Sequence, residues 1–259
     1  MKKIYLLFLM IPFGAILYGQ TAKEGKMPIT TKSEAARALF EKAEKAYYDV
    51  NYKLSNDLFQ KAKKEDPDLF MADFYIAYTS YINGDFDGFR KNAAIALNNK
   101  SALNEGETLY KEALKKLVED KKADLTDLNK KLIALYPGDQ RGYINLTYSL
   151  FGKNDYTGAL DNLKKTLEIA DNKAFIYNLL GYTYMGLNRM DDAKKAFEKY
   201  IELAPELANP YDSMGDYYFQ AKDYNKAHDY FLKAAGMGLD VSKSKAEKSK
   251  HLSDSLTVR

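Results

Sequence analysis

The residues of this chain that could do chemistry are few and do not assemble into a known constellation. Asn83-Gly-Asp85-Phe-Asp87-Gly88 has the oxygen-rich opening of a calcium loop, a geometry that needs a bidentate Glu six residues after the glycine. That position is Ala94, and Asn83 stands where the leading Asp belongs. The two histidines, His228 and His251, have no cysteine to complete a metal site with, because the chain contains none. Asn99-Lys-Ser101 and Asn145-Leu-Thr147 fit the glycosylation acceptor pattern, but Asn145 falls within a helical pattern and chance occurrence is the better reading. A Gly-rich phosphate loop, a nucleophile elbow and a helix with paired zinc histidines are all missing from the sequence. Carboxylates are abundant, yet two would have to converge in one pocket to do acid–base work. These residues predict a non-enzymatic protein with no cofactor and no metal.

What the sequence does contain is a register. Tyr143, Tyr177 and Tyr211 are spaced by thirty-four residues, and so are Leu146, Leu180 and Met214, then Thr147, Gly181 and Gly215. In the second half of each unit Ala159, Ala193 and Ala227 align, followed four residues on by Leu163, Phe197 and Phe231. Within Ala174 to Leu207 both halves carry apolar residues at three-and-four spacing, so each half is an amphipathic helix. Gly186-Leu-Asn188 supplies a turn between them, and Asp191-Asp192 puts negative charge on the first turn of the second helix, where the macrodipole favours it. Asp85-Phe86 aligns with Asn51-Tyr52, Asp155-Tyr156 and Asp223-Tyr224, which makes the calcium-like stretch the turn inside a unit.

A period of this length, with an aromatic, Leu-Gly and Tyr in one half and Ala-x-x-x-Phe in the other, resembles the tetratricopeptide repeat family. The resemblance implies an all-α fold, a right-handed α-solenoid of about six helix-turn-helix units, because a two-helix unit cannot bury its own apolar face and must stack on neighbours. The units fall at about 36–69, 70–103, 106–139, 140–173, 174–207 and 208–241. The third is the most divergent, and the spacing of Pro67, Pro137 and Pro205 implies a small insertion near Asn104-Glu105. Residues 242–259, rich in Lys and Ser, read as a polar C-terminal cap or tail, with a partly helical cap favoured.

At the other end, Met1-Lys2-Lys3 and the apolar run Ile4–Tyr18 have the charge and length of a secretory signal over residues 1–19, although Leu17-Tyr18-Gly19 is a weak cleavage site. The expectation is an exported, periplasmic or secreted protein with no membrane span in its mature chain, the alternative being an uncleaved N-terminal anchor. Loss of Lys2 and Lys3 lowers the formal charge from +3 to +1, and the remaining lysines are interleaved with acids. That balance argues against a nucleic-acid partner. Residues 20–33 read as a flexible leader, with Thr31 and Glu34 as a capping box opening the first helix.

The resemblance also implies where a partner would sit. In the family the second, fifth, ninth and twelfth residues of each unit face a concave groove. Those places hold Phe40 and Tyr47, then Phe74, Tyr78 and Tyr81, then Tyr110, Tyr148, Phe151, Phe175, Asn178, Tyr182 and Met185, with Asp212 and Asp216 beside Phe219 at an acidic end. An aromatic trough of this kind suits a protein or peptide ligand anchored by apolar side chains. Two readings stand beside the adaptor: an envelope glycan-binding module using stacked tyrosines, and a structural or self-assembly component of an envelope complex.

Overall fold

A computed structural model describes residues 25–257; the signal-peptide expectation for residues 1–19 lies outside them. The described chain is all-α. Its helices are α1 (Glu34–Tyr48), α2 (Tyr52–Glu65), α3 (Phe70–Ile82), α4 (Phe86–Asn98), α5 (Glu105–Glu119), α6 (Thr126–Leu135) and α7 (Gln140–Gly152). They continue with α8 (Tyr156–Ile169), α9 (Lys173–Gly186), α10 (Met190–Leu203), α11 (Asn209–Gln220), α12 (Tyr224–Gly236) and α13 (Val241–Thr257). Consecutive helices pair into hairpins that stack in chain order, with α13 against α12, so the chain is the helical solenoid that the register implies.

Five of the hairpins turn in the same three residues. The middle one, Val50, Gly84, Asn154, Asn188 or Lys222, lies in the left-handed region with φ between 56° and 74°. In four of the five the next residue caps the second helix: Asn51, Asp85, Asp155 and Asp223 each accept a backbone N–H from three residues on. Asp85, the first acid of the calcium-like stretch, is therefore the N-cap of α4. Lys222 is exposed and sits at φ 62°, a conformation that Asn tolerates better than other L residues. Changing Lys222→Asn is expected to stabilise the fold by roughly 0.5–1 kcal/mol, read as a rise in melting temperature of about 1–4 °C.

The pairing inside a hairpin depends on matched volumes. A Cβ on Gly181 would lie 2.3 Å from the Phe197 ring, and one on Gly215 would lie 2.5 Å from Phe231. In the fourth hairpin the equivalent pair is Thr147 with Leu163; the smaller leucine leaves room for a side chain. There Asn162 donates to the Thr147 hydroxyl at 2.8 Å and to the Tyr143 carbonyl at 2.7 Å. In two units the repeated tyrosine ties the hairpin to the bend before it: the Tyr143 and Tyr211 hydroxyls donate to the Pro137 and Pro205 carbonyls at 3.1 and 3.0 Å.

The third hairpin departs from this plan. Its turn runs from Asp120 to Leu125, α6 has only 10 residues, and α5 and α6 scarcely touch. The α5 start is nonetheless firmly fixed by a capping box of Asn104 and Glu107.

Two long-range closures were not expected. The first concerns residues 25–33, read from sequence as part of a flexible leader. They are a docked strap: Met27 is buried beside Gly106 and Tyr136, its N–H donates to Asp139 at 2.9 Å, and the Thr30 N–H donates to Glu107 at 2.8 Å. Asn104 also donates to the Pro28 carbonyl at 2.9 Å. Thr31 is not the cap of α1, because its hydroxyl is spent on Asp66 at 2.5 Å; Ser33 caps that helix instead. The second closure joins α1 to α7. Arg141 grips Glu44 with two bonds of 2.6 and 2.8 Å and Asp139 with one of 2.7 Å, while the Tyr75 hydroxyl donates to Glu44 at 2.7 Å. Burial alone would lower the Arg141 pKa, but Glu44 and Asp139 outweigh it and hold the guanidinium charged. Tyr48 of α1 packs on Phe175 of α9 with ring centroids 5.3 Å apart.

Candidate functional site

These closures turn the expected open trough into a chamber. A cavity of about 660 Å³ lies where the splayed third hairpin faces α1, α3 and α7. One wall is aromatic: Tyr47, Phe74, Tyr78, Tyr81, Tyr110 and Tyr148, with Tyr52 from the start of α2. The opposite wall is aliphatic, from Leu109, Ala113 and Leu117 of α5 and Leu125, Leu128 and Leu132 around α6. The exposed rim carries Ile82, Lys121, Lys122, Asp124, Gly152 and Lys153. Asp124 pairs with Lys153 at 2.7 Å, so Lys121 and Lys122 leave the rim net positive.

The aromatic wall holds itself in place by ring packing. Phe74 stacks on Tyr78 at 5.5 Å, Tyr78 on Tyr81 at 5.7 Å, and Tyr110 meets Phe74 edge-on at 4.8 Å. The Tyr81 hydroxyl donates to the Lys121 carbonyl at 2.5 Å, fixing the end of α3 to the α5–α6 turn. Asn145 donates to the Tyr110 hydroxyl at 3.1 Å, and Asn129 to Ser149 at 3.0 Å. Four other hydroxyls, those of Tyr47, Tyr52, Tyr78 and Tyr148, make no hydrogen bond to any of the described residues. Tyr47 is only 7 % exposed. Burial raises the pKa values of Tyr47, Tyr52 and Tyr78, and neighbouring phenols push Tyr47 and Tyr78 further. These phenols stay protonated through the physiological range and can offer a hydrogen to whatever enters.

The structure gathers Tyr47, Phe74, Tyr78, Tyr81, Tyr110 and Tyr148 at the chamber and takes other expected groove residues elsewhere. Phe151 lies one turn beyond, edge-on to Tyr148 and tilted against Tyr156. Phe175 is buried under Tyr48, and Phe40 is core. Asn178 is buried and accepts from Ser213 at 2.9 Å, joining α9 to α11. Tyr182 packs edge-on against Phe197 and donates to Asp216 at 2.8 Å.

The acidic end expected at Asp212 and Asp216 is not an open surface. Lys245 of α13 reaches both, at 2.7 and 3.0 Å, and Ser242 donates to Asp212 at 2.6 Å. The final helix lies against the last hairpin and neutralises it. His228 belongs to the same junction, its Nδ1 lying 2.9 Å from the Ala246 carbonyl.

The whole aliphatic wall escaped sequence reasoning, because a regular frame turns second helices such as α6 away from the concave side and, in the divergent third unit, marked only Tyr110 on α5. The signal was the extra length of Asp120–Leu125, which separates α5 from α6 and lets both face inward.

Residues 176–207 match a family model described as tetratricopeptide repeat. That stretch carries one tetratricopeptide repeat. Among solved structures, it is similar to a crystal structure of the APC/C hetero-tetramer Cut9–Hcn1 at 16% identity, with a TM-score of 0.51 over 83% of this chain and 46% of that one. The chain thus spans less than half the length of that relative. It is also similar to a thermophilic tetratricopeptide-repeat protein of Thermus thermophilus at 16% identity and a TM-score of 0.49, covering 83% of this chain and 98% of that one. A crystal structure of PilW, a type IV pilus biogenesis factor, gives the same figures. No curated protein matches the chain. Among the described residues, no helix is long and apolar enough to cross a membrane, and no three His, Cys, Asp or Glu side chains gather as a metal site.

Proposed function

We propose that this chain is an exported, non-catalytic scaffold for protein–protein interaction, and that a peptide or helix of its partner docks over the mouth of the tyrosine chamber. The observation that carries the reading is the unpaired apolar surface at that mouth, where Tyr148 is 38% exposed and Ile82 36% exposed beside a cavity. Large apolar side chains that ring a concavity and have no partner of their own are the anchors such interfaces use. The tetratricopeptide fold supports the reading, and the start of the chain, two lysines before an apolar run, supports export.

A photo-crosslinker placed at Tyr148 is expected to yield one defined protein adduct in cells, lost when Ile82 is changed to Glu. An adduct that survives Ile82→Glu, or none at all, would remove the mouth as the docking surface. Mass spectrometry of the recovered protein reads the N-terminus in the same experiment; a start near Gln20 supports export, and an intact Met1 counts against a cleaved signal.

A further inference from the structure

The cavity behind that mouth has chemistry of its own, beyond any role in docking a partner. Its volume, about 660 Å³, falls in the range of about 300–1,000 Å³ that small-molecule sites occupy, and such sites are apolar with a few fixed polar groups. One wall is mainly hydrocarbon, from leucines such as Leu117, Leu128 and Leu132, and its polar Asn129 already donates to Ser149. The other offers hydrogen-bond donors: the hydroxyls of Tyr47, Tyr52, Tyr78 and Tyr148 have no acceptor among the described residues, and Tyr47 is more than nine-tenths buried. The phenol oxygens of Tyr47, Tyr52 and Tyr78 are not sealed in the protein interior, so these donors stand open to an acceptor that enters the cavity. Among the lining residues the single carboxylate is Asp124, which is at the rim and already paired with Lys153. A cationic ligand would find no counter-charge. An anion would meet Lys121 and Lys122 on entry.

We propose that the chamber binds a small organic acid with an apolar body, of which a long-chain fatty acid is the test case. The hydrocarbon lies along the leucines of α5 and α6, the carboxylate accepts hydrogen bonds from the phenols of α1, α3 and α7, and the rim lysines draw the anion in. Because the third hairpin is splayed around this volume, ligand binding joins α5 and α6 through a common filling that they do not provide for each other.

The test uses the natively fluorescent fatty acid cis-parinarate with the purified full chain, followed by displacement with oleate, oleyl alcohol and oleylamine. The expected result is saturable one-to-one binding, displaced by oleate and at least about tenfold less effectively by the alcohol or the amine, since hydrogen bonds to a charged group are the strong ones. Leu128→Trp, which fills the cavity, is expected to abolish binding. Tyr78→Phe, which removes one unpaired hydroxyl and nothing else, is expected to weaken it by about tenfold. Absence of saturable binding overturns the proposal. So does binding that is unchanged in Tyr78→Phe, a variant whose helical circular dichroism and melting temperature should match the parent. Equal displacement by all three oleyl compounds overturns it as well. A partner adduct at Tyr148 in a protein that takes up no parinarate would leave the scaffold reading intact and sink this one alone.

Discussion

Replacing Arg141 by Met is expected to lower the melting temperature by about 10 °C or more, corresponding to a loss of about 3–5 kcal/mol. The guanidinium is the shared partner of Glu44 and Asp139, and all three side chains are largely buried, at 14%, 14% and 4% exposed. Removing it leaves two carboxylates without a counter-ion, and an uncompensated buried charge costs far more than the net gain from the intact pair. The origin of the loss can be separated from simple loss of packing. In the Arg141→Met background, Glu44→Gln and Asp139→Asn remove the orphaned charges and are expected to restore a substantial part of the stability. If the triple variant is no more stable than Arg141→Met alone, the electrostatic account fails. The same variant breaks the bridge between α1 and α7, so it should also loosen the chamber whose aromatic wall those helices share.

The second large effect concerns Gly181. Changing it to Thr is expected to cost about 3 kcal/mol, because the added Cβ would stand 2.3 Å from the Phe197 ring and neither helix can retreat without unpacking its hairpin. The fourth hairpin shows the cure. There Thr147 faces Leu163, and the threonine hydroxyl donates to the carbonyl one turn back at 3.0 Å. Gly181→Thr combined with Phe197→Leu rebuilds that pair one unit further along, and urea denaturation should show at least half of the loss recovered. Additive destabilisation in a double-mutant cycle would mean that the two positions do not read each other.

That pair also shows what the sequence made legible. Gly181 and Phe197 stand in a register visible three times over, so the meeting of their side chains, the turns at Asn154 and Asn188 and the solenoid itself follow from local pattern. The chamber does not. It depends on Arg141 meeting Glu44 across 97 residues of chain, and although they stand at the second and ninth places of their units, a register of neighbouring units does not pair the fourth unit with the first. Met27 looked like part of a loose leader because a single apolar residue has no period, yet it finds a notch made by Gly106. Asp212 and Asp216 looked free because Lys245, which neutralises them, lies beyond the last unit of the register. The site was half legible for the same reason: Phe74, Tyr78 and Tyr148 sit on first helices, where a regular unit would place them, whereas Leu125 and Leu128 face inward only because one hairpin is sprung open.

The bridge from α1 to α7 bears on how the chain melts. An open solenoid is close to one-dimensional: each unit meets only its neighbours, and the stack can fray from either end or nucleate anywhere along it. Here one continuous core runs from Met27 to Ala196, a smaller cluster joins Met185, Ala193 and Phe197 of the fifth hairpin to Met214 and Tyr217 of the sixth, and a third holds Ala227, Phe231 and Ala246. The first four hairpins and α9 therefore behave as a cooperative block whose contact order exceeds that of an open stack, with a correspondingly slower search for its native pairing, and α12 with α13 is the part freest to open on its own.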